Sequence, residues 1–444
     1  MSQRRFESKA LAVPSSRLSR LSRLGGLASA IAGNVAADAA RRFVRGERPR
    51  MEDLLLTPAN AQKLADELAR MRGAAMKVGQ LISMDAGDLL PAELADILAR
   101  LRAEAHHMPW VQLRRVLNQA WGADWRQNFE TFDTHPIAAA SIGQVHRART
   151  RDGRDLAIKV QYPGVRASID SDVNNVAALI RIAGLIPKTV DIAPMLEEAK
   201  GQLHEEADYE YEGRRLAEFG ALLANNPDFV VPALDPDLTR KNILAMDFVD
   251  GVPIDALETA PQAERDRAMT LLIGLLFREL FEFRLMQTDP NFANYRYAPE
   301  TGRIVLLDFG ATRAFPEEFV ALYRRLLRSG MEGDRAGLRD AARNIGFLSP
   351  KAPAGLERAM LDMFELSIEP LRQQEPFDFG ASDLALRLRD AGMALAEHRE
   401  HCTLPPMDTL FLQRKFGGIY LLATRMRARV ALRDLITPHL SSGV

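Results

Sequence analysis

The feature that most restricts this chain is the run Ile304-Val305-Leu306-Leu307-Asp308-Phe309-Gly310. Four apolar residues of strand character end in a carboxylate, and the glycine two positions later allows the backbone a sharp reversal. A carboxylate held at the end of a buried strand can ligate a divalent cation through oxygen. Nineteen residues upstream lies Asp289, and Asn294 stands five residues beyond it, giving Asp-x-x-x-x-Asn just before the strand that leads into the second aspartate.

That spacing is the spacing of a kinase catalytic loop. In such a loop the first carboxylate accepts or orients the attacking hydroxyl, while the amide oxygen and the later carboxylate hold magnesium against the phosphate oxygens. Asp289 takes the first role here, and Asn294 and Asp308 the second. Further upstream, Leu156-Ala157-Ile158-Lys159 places a lysine on a strand that returns from the turn Asp152-Gly153, where its charge can meet nucleotide phosphates. A buried lysine needs an anionic partner, and the following helix offers Glu205, Glu206 and Asp208; Glu206 is the carboxylate expected beside Lys159. Strand lysine, helix glutamate, Asp-x4-Asn, strand, Asp-Phe-Gly is an order that isolated surface charges do not produce together.

Two kinase parts are altered. Where a glycine-rich loop should cover the phosphates, the sequence reads Ala138-Ala139-Ala140-Ser141-Ile142-Gly143. Alanine keeps the backbone N–H donors but disfavours positive φ and close backbone approach, so nucleotide is expected in an altered phosphate pose. After Gly310 the chain passes through Ala311-Thr312-Arg313 into a helix near Glu317, with no Ala-Pro-Glu and no long activation segment. Little platform is left for a peptide substrate. Gln287-Thr288 precedes Asp289 in place of His-Arg, which removes the arginine that a phosphorylated loop would pair with.

At 444 residues the chain is about three typical domains long, or one large bilobal unit. With 47% apolar residues, and 58 basic against 59 acidic side chains, it is neither disordered nor a nucleic-acid-coating protein. The single cysteine, Cys402, forms no internal disulfide and no thiolate cluster, which points to a reducing compartment. No window of 18 apolar residues suits a membrane span. Residues 1–50 nevertheless carry 11 Lys/Arg against 3 Asp/Glu. In that leader Leu18, Leu21, Leu24, Leu27 and Ile31 make an apolar helical stripe with arginines at both ends, suited to an anionic membrane interface, where each cation contributes about 1 kcal/mol. His398, His401 and Cys402 lack a fourth metal ligand, and the three tryptophans, Trp110, Trp121 and Trp125, are expected to pack the fold rather than stack a base.

With those residues in view, the sequence resembles the UbiB/ADCK family of atypical kinases, nearest to the kinase-like ATPases of coenzyme Q biosynthesis. The resemblance rests on Lys77-Val78-Gly79-Gln80, Ala138–Val145, Lys159 with Gln161-Tyr162-Pro163-Gly164, Glu206-Ala207-Asp208-Tyr209, Met286–Asn294 and Leu306–Arg313. It implies that Lys77 and Gln80 belong to a KxGQ extension folded over the place of a peptide substrate, with Lys77 near Glu206 and Asp208. It also implies that the Ala-rich loop and this extension suppress protein kinase activity and that the protein supports ubiquinone biosynthesis as an ATPase at a membrane; as a departure from the family's bacterial form, C-terminal membrane spans are not expected.

The expected fold is α+β, protein-kinase-like and bilobal. It comprises a basic leader (1–50), a helical KxGQ extension (51–130), a five-stranded small lobe (131–250) and a helix-rich large lobe (251–444). ATP or ADP with Mg2+ is expected near Met246, Phe248 and Val249 and against Ala138, Ala139, Ala140 and Ser141. Partners are adenine nucleotide, an anionic lipid surface and quinone-biosynthesis proteins, with no nucleic acid and a possible homodimer. The expected localisation is cytoplasmic and peripheral to a membrane, or the mitochondrial matrix face if the host is eukaryotic. Two other functions stay open: a nucleotide-gated adaptor without turnover, and a kinase acting on a small isoprenoid or lipid hydroxyl.

Overall fold

The structure is a computed structural model that describes residues 107–140, 142–182, 193–396 and 406–441. The basic leader, Lys77 and Gln80, Ser141, and the group His398, His401 and Cys402 lie outside these residues. The chain divides into two units.

The first unit holds residues up to Ala217 together with Ala233–Val249. Helix α1 (Trp110–Trp121) starts on Pro109 and stops at Gly122, which sits at φ 89°. Its Leu113, Val116 and Leu117 recur at helical spacing and are buried. The strands β1 (Phe129–Phe132), β2 (Ala138–Ala139), β3 (Gly143–Thr150) and β4 (Asp155–Gln161) follow, with Gly153 in the tight turn between the last two at φ 89°. Then come α2 (Val165–Ile182), α3 (Ala193–Glu206) and α4 (Tyr209–Leu222), whose final turn from Glu218 belongs to the second unit, as does β5 (Phe229–Val230). Strand β6 (Ile243–Asp247) returns to the first unit. The sheet is antiparallel, ordered β1-β3-β4-β6 with β2 on β3, five strands as expected.

One face of β4 carries Leu156, Ile158 and Val160 into a core shared with Leu113, Leu117, Trp125 and Phe129. Alternation then sends Lys159 and Gln161 to the opposite face. The tryptophans pack this core: Trp125 is buried, its Nε1 donates to Asn118 Oδ1 at 3.0 Å, and Trp121 Nε1 donates to the Leu238 carbonyl at 2.8 Å. Beneath β3, His146 Nδ1–H donates to the Asp133 carbonyl at 2.7 Å, and its Nε2 accepts from Gln144 at 2.8 Å. Burial lowers the imidazole to about 4, so the ring is neutral at physiological pH.

The second unit holds Glu218–Pro232 and Asp250 onward. Segment 218–232, placed in the small lobe by sequence reasoning, belongs here because β5 pairs in parallel with a later strand, β10 (Arg303–Leu306). That strand is the centre of a sheet ordered β5-β10-β9-β7, completed by β7 (Val252–Pro253) and β9 (Tyr295–Ala298). Helix α5 (Gln262–Arg278) buries Leu272, Ile273, Leu275, Leu276 and Phe277. It runs into a π-turn at Glu279–Phe283 that ends on Arg284 in the left-handed region, φ 52°. A two-stranded ribbon pairs β8 (Leu285–Gln287) with β11 (Thr312–Ala314). Helices α6 (Glu317–Glu332), α7 (Arg335–Ile345), α8 (Ala354–Arg372), α9 (Leu384–Ala396), α10 (Met407–Met426) and α11 (Leu432–Ser441) make up the rest, with a short pairing of β12 (Phe377–Asp378) and β13 (Arg429–Val430). Among the described residues no helix is long and apolar enough to cross a membrane.

Candidate functional site

In the first unit Lys159 is buried, and its Nζ donates to both carboxylate oxygens of Glu212 at 2.8 and 2.9 Å. The Tyr209 ring lies 5.0 Å beneath the ammonium. The partner is thus Glu212, and the expectation of Glu206 is corrected. The reason is a break in what the sequence suggested was one helix over 191–224. Helix α3 ends at Glu206, and Asp208 opens α4 as its N-cap, its Oδ1 accepting the Tyr211 N–H at 3.0 Å. The new helix axis brings Glu212, one turn in, onto the lysine. Asp208 itself is an end cap whose other oxygen lies 3.6 Å from Arg166. The signal was present: an aspartate followed by Tyr-Glu-Tyr-Glu reads as a helix start.

The alanine loop is a strand over Ala138–Ala139, registered on Val145 and Gln144, and Ala140 N–H donates to Gly143 O at 2.9 Å. None of these three alanines takes a positive φ. Gly143 is where the loop tolerates no side chain: a Cβ there would lie 2.5 Å from the Val160 carbonyl and 2.7 Å from the Tyr209 hydroxyl. Met246 is buried on β6 opposite Ala157. Phe248 donates its N–H to Asp155 O at 2.9 Å and carries the Arg147 guanidinium on its ring at 4.2 Å, with Val249 the last residue of the unit.

In the second unit Asp289, Asn294 and Asp308 come together. Asn294 is buried, its Nδ2 donates to Asp289 Oδ2 at 3.1 Å, and its carbonyl accepts the Leu307 N–H at 3.0 Å, which ties the loop to the residue before Asp308. Asp308 Oδ1 accepts the Gly310 N–H at 3.0 Å, fixing the carboxylate at the strand end. Phe309 is buried against Phe219, ring centres 4.7 Å apart. Because Asn294 spends its amide nitrogen on Asp289, its amide oxygen is the face turned to other work. One amide oxygen and one carboxylate are hard donors that suit Mg2+.

Sequence reasoning missed the residues of α10 that hold this loop. Arg414 Nη2 lies 3.4 Å from Asp289 Oδ1. Lys415 Nζ donates to Gln287 Oε1 at 2.9 Å and Tyr295 OH at 2.6 Å, and stands 3.8 Å from Glu279 Oε2. Burial pushes the Glu279 carboxyl up to about 7, an effect Lys415 only partly offsets. Burial by itself would lower Lys415, but Glu279, Tyr295 and Asp289 outweigh it and hold the ammonium up. The detectable signal was an adjacent Arg-Lys pair between Phe411 and Ile419, in the buried stripe of a helix where charges are rare.

A strand lysine paired to a helix glutamate, an Asp-x4-Asn turn and a strand-end Asp-Phe-Gly define a kinase-like enzyme of phosphoryl transfer. Residues 100–342, over half of the sequence, match the ABC1 atypical kinase-like domain, and the chain belongs to that family. It is 38% identical over 432 residues to "Atypical kinase coq-8, mitochondrial" of Caenorhabditis elegans, covering 95% of this chain and 57% of that protein. It is also 38% identical over 425 residues to "Atypical kinase COQ8, mitochondrial" of Saccharomyces cerevisiae, covering 95% and 84%. A solved structure of Rv3197 with erythromycin from Mycobacterium tuberculosis matches the fold with TM-score 0.63 at 24% identity, over 87% of this chain and 97% of that one.

Proposed function

We propose that the protein binds an adenine nucleotide with Mg2+ and hydrolyses ATP in support of ubiquinone biosynthesis at a membrane. The observation that carries this reading is the buried, two-oxygen ion pair of Lys159 with Glu212. A cation so desolvated costs several kcal/mol to bury and is held ready for a second anion, which phosphate oxygens supply. In this reading Lys159 meets the phosphates, Glu212 orients it, and Met246, Phe248 and Val249 face the base. Asn294 and Asp308 supply the oxygen ligands for magnesium, whose charge neutralises the phosphate oxygens. Asp289, held by Asn294, accepts a hydrogen bond from the attacking O–H and orients it. The family relatives, mitochondrial by name, and the apolar stripe of the leader with arginines at both ends support the choice of a membrane-linked role.

Suppression of protein phosphorylation is assigned to other residues. The loop at Ala138, Ala139, Ala140 and Ser141 approaches phosphate less closely than glycine, while Lys77, Gln80 and Asp208 regulate access. Phosphate release from ATP by the purified full chain, with Mg2+ and anionic vesicles, tests the reading. Asp308→Asn and Asp289→Asn are each expected to abolish it, and unchanged release in both overturns it. Ala140→Gly is expected to shift ATP-versus-ADP preference or to reveal autophosphorylation.

A further inference from the structure

The catalytic loop carries no cation of its own: residues 285–295 contain neither lysine nor arginine. Its cation arrives from α10, which lies beyond the residues matched to the family domain. Phe411, Arg414, Lys415 and Gly418 are spaced i, i+3, i+4, i+7 and so share one helix face. Each meets a different part of the loop or its surroundings. Phe411 takes the Arg313 guanidinium on its ring at 4.2 Å. Lys415 joins Gln287 to Tyr295, the two shoulders of the loop. Gly418 lets the helix lie on the loop itself, since a Cβ there would fall 2.1 Å from Pro290 Cβ and 3.3 Å from its Cα. Arg414, buried, reaches Asp289.

Both Asp289 oxygens are thereby held, Oδ2 by the Asn294 amide at 3.1 Å and Oδ1 by the Arg414 guanidinium at 3.4 Å. The second distance is long for a hydrogen bond, so the contact is chiefly an ion pair and leaves Oδ1 able to accept from another donor. Charged and titratable groups facing Asp289 are Arg414 and Lys415 from α10 and Tyr295 from β9, with Glu279 behind Lys415. Lys415 is committed to Gln287, Tyr295 and Glu279, which leaves Arg414, among the described residues, as the cation that contacts the carboxylate directly.

We infer that Arg414 is a positioning residue for the acceptor-orienting Asp289, and that α10 supplies it, from outside the matched domain, with a cation that residues 285–295 do not contain. The inference rests on the ATP-hydrolysing reading above. Losing such a clamp lets the carboxylate rotate, and a misplacement of about 1 Å costs on the order of 100-fold in rate without touching nucleotide contacts.

The test compares the full-length wild type with Arg414→Gln and Arg414→Lys. Mg-ATP affinity is read by calorimetry, kcat and KM by phosphate release, and folding by thermal melt. Arg414→Gln is expected to lower kcat about 30- to 100-fold with the dissociation constant unchanged within twofold, and Arg414→Lys to recover about tenfold of the loss. A kcat within threefold of wild type in Arg414→Gln, a parallel loss of affinity, or a lysine variant no better than glutamine each overturns the assignment. If Arg414→Gln does not fold, Arg414→Lys alone decides: a kcat reduced about three- to tenfold at unchanged affinity supports the assignment, and wild-type kcat overturns it. A wild type that binds Mg-ATP yet releases no phosphate overturns the hydrolytic reading itself, and the assignment with it.

Discussion

Two buried Lys–Glu pairs, one in each unit, use the same residue types in opposite ways. Lys159 donates to both carboxylate oxygens of Glu212, each inside 3 Å. Lys415 gives its hydrogen bonds to two neutral oxygens and leaves Glu279 at 3.8 Å, with a carboxyl pushed up to about 7 by burial. The first pair is a complete ion pair at the edge of a proposed ligand site. The second is a knot that joins the π-turn, β8, β9 and α10, in which burial raises the glutamate. Burial alone therefore does not mark a lysine as functional; how its protons are spent does.

Substitutions break this comparison most visibly at the knot. Lys415→Met is expected to lower stability by about 3–5 kcal/mol in urea denaturation, because Glu279 and Tyr295 lose their shared partner. Adding Glu279→Leu should restore most of that loss; a double variant as unstable as the single one contradicts the account.

Acid sharpens the contrast, because the two units respond with opposite sign. His146 is depressed when folded, so the stability it contributes is present above its unfolded value of 6.5 and is lost as pH falls through about 4, a change of about 3 kcal/mol. Glu279 is raised when folded, so its contribution is present below its unfolded value of 4.5 and is lost as pH rises through about 7. Hydrogen-exchange protection between pH 7.5 and 4.5 should therefore decline in β3 while holding or rising around the π-turn, and His146→Gln should flatten the first trend.

At the first pair the expected effect is on ligand. Lys159→Met should weaken Mg-ATP binding about 10- to 100-fold by calorimetry, the loss of one charged hydrogen bond of about 1.5–3 kcal/mol, and Lys415→Arg should leave affinity within threefold. The smallest effect belongs to Asp208→Ala, which removes the α4 cap and should cost about 1 kcal/mol. Its loosening should extend to the helix turn bearing Glu212 and spare α10, a distinction visible by hydrogen exchange.

Much of the chemistry was legible in the chain because it is local. Asp289 to Asn294 is one turn, Ile304–Asp308 is one strand, and Leu156–Lys159 is one alternating strand, so spacing alone placed their side chains. What escaped depends on where separate elements meet. Glu212 was passed over because two residues, Ala207 and Asp208, separate one helix from the next, and the change of axis there moves the lysine's partner six residues along the chain. Arg414 and Lys415 lie more than a hundred residues from the loop they hold, and only packing of α10 on Pro290, permitted by Gly418, shows what they touch. The parallel pairing of β5 with β10, which carries 218–232 into the second unit, is non-local for the same reason.

The ribbon of β8 and β11 has one more implication. Thr288 donates both its N–H and its hydroxyl to the Ala311 carbonyl, and the Thr312 hydroxyl turns back to the Phe309 carbonyl, with both threonines buried. Both hydroxyls are therefore engaged within the fold and withdrawn from solvent. A ribbon sewn down in this way ties the residue before Asp289 to the segment that follows Asp308.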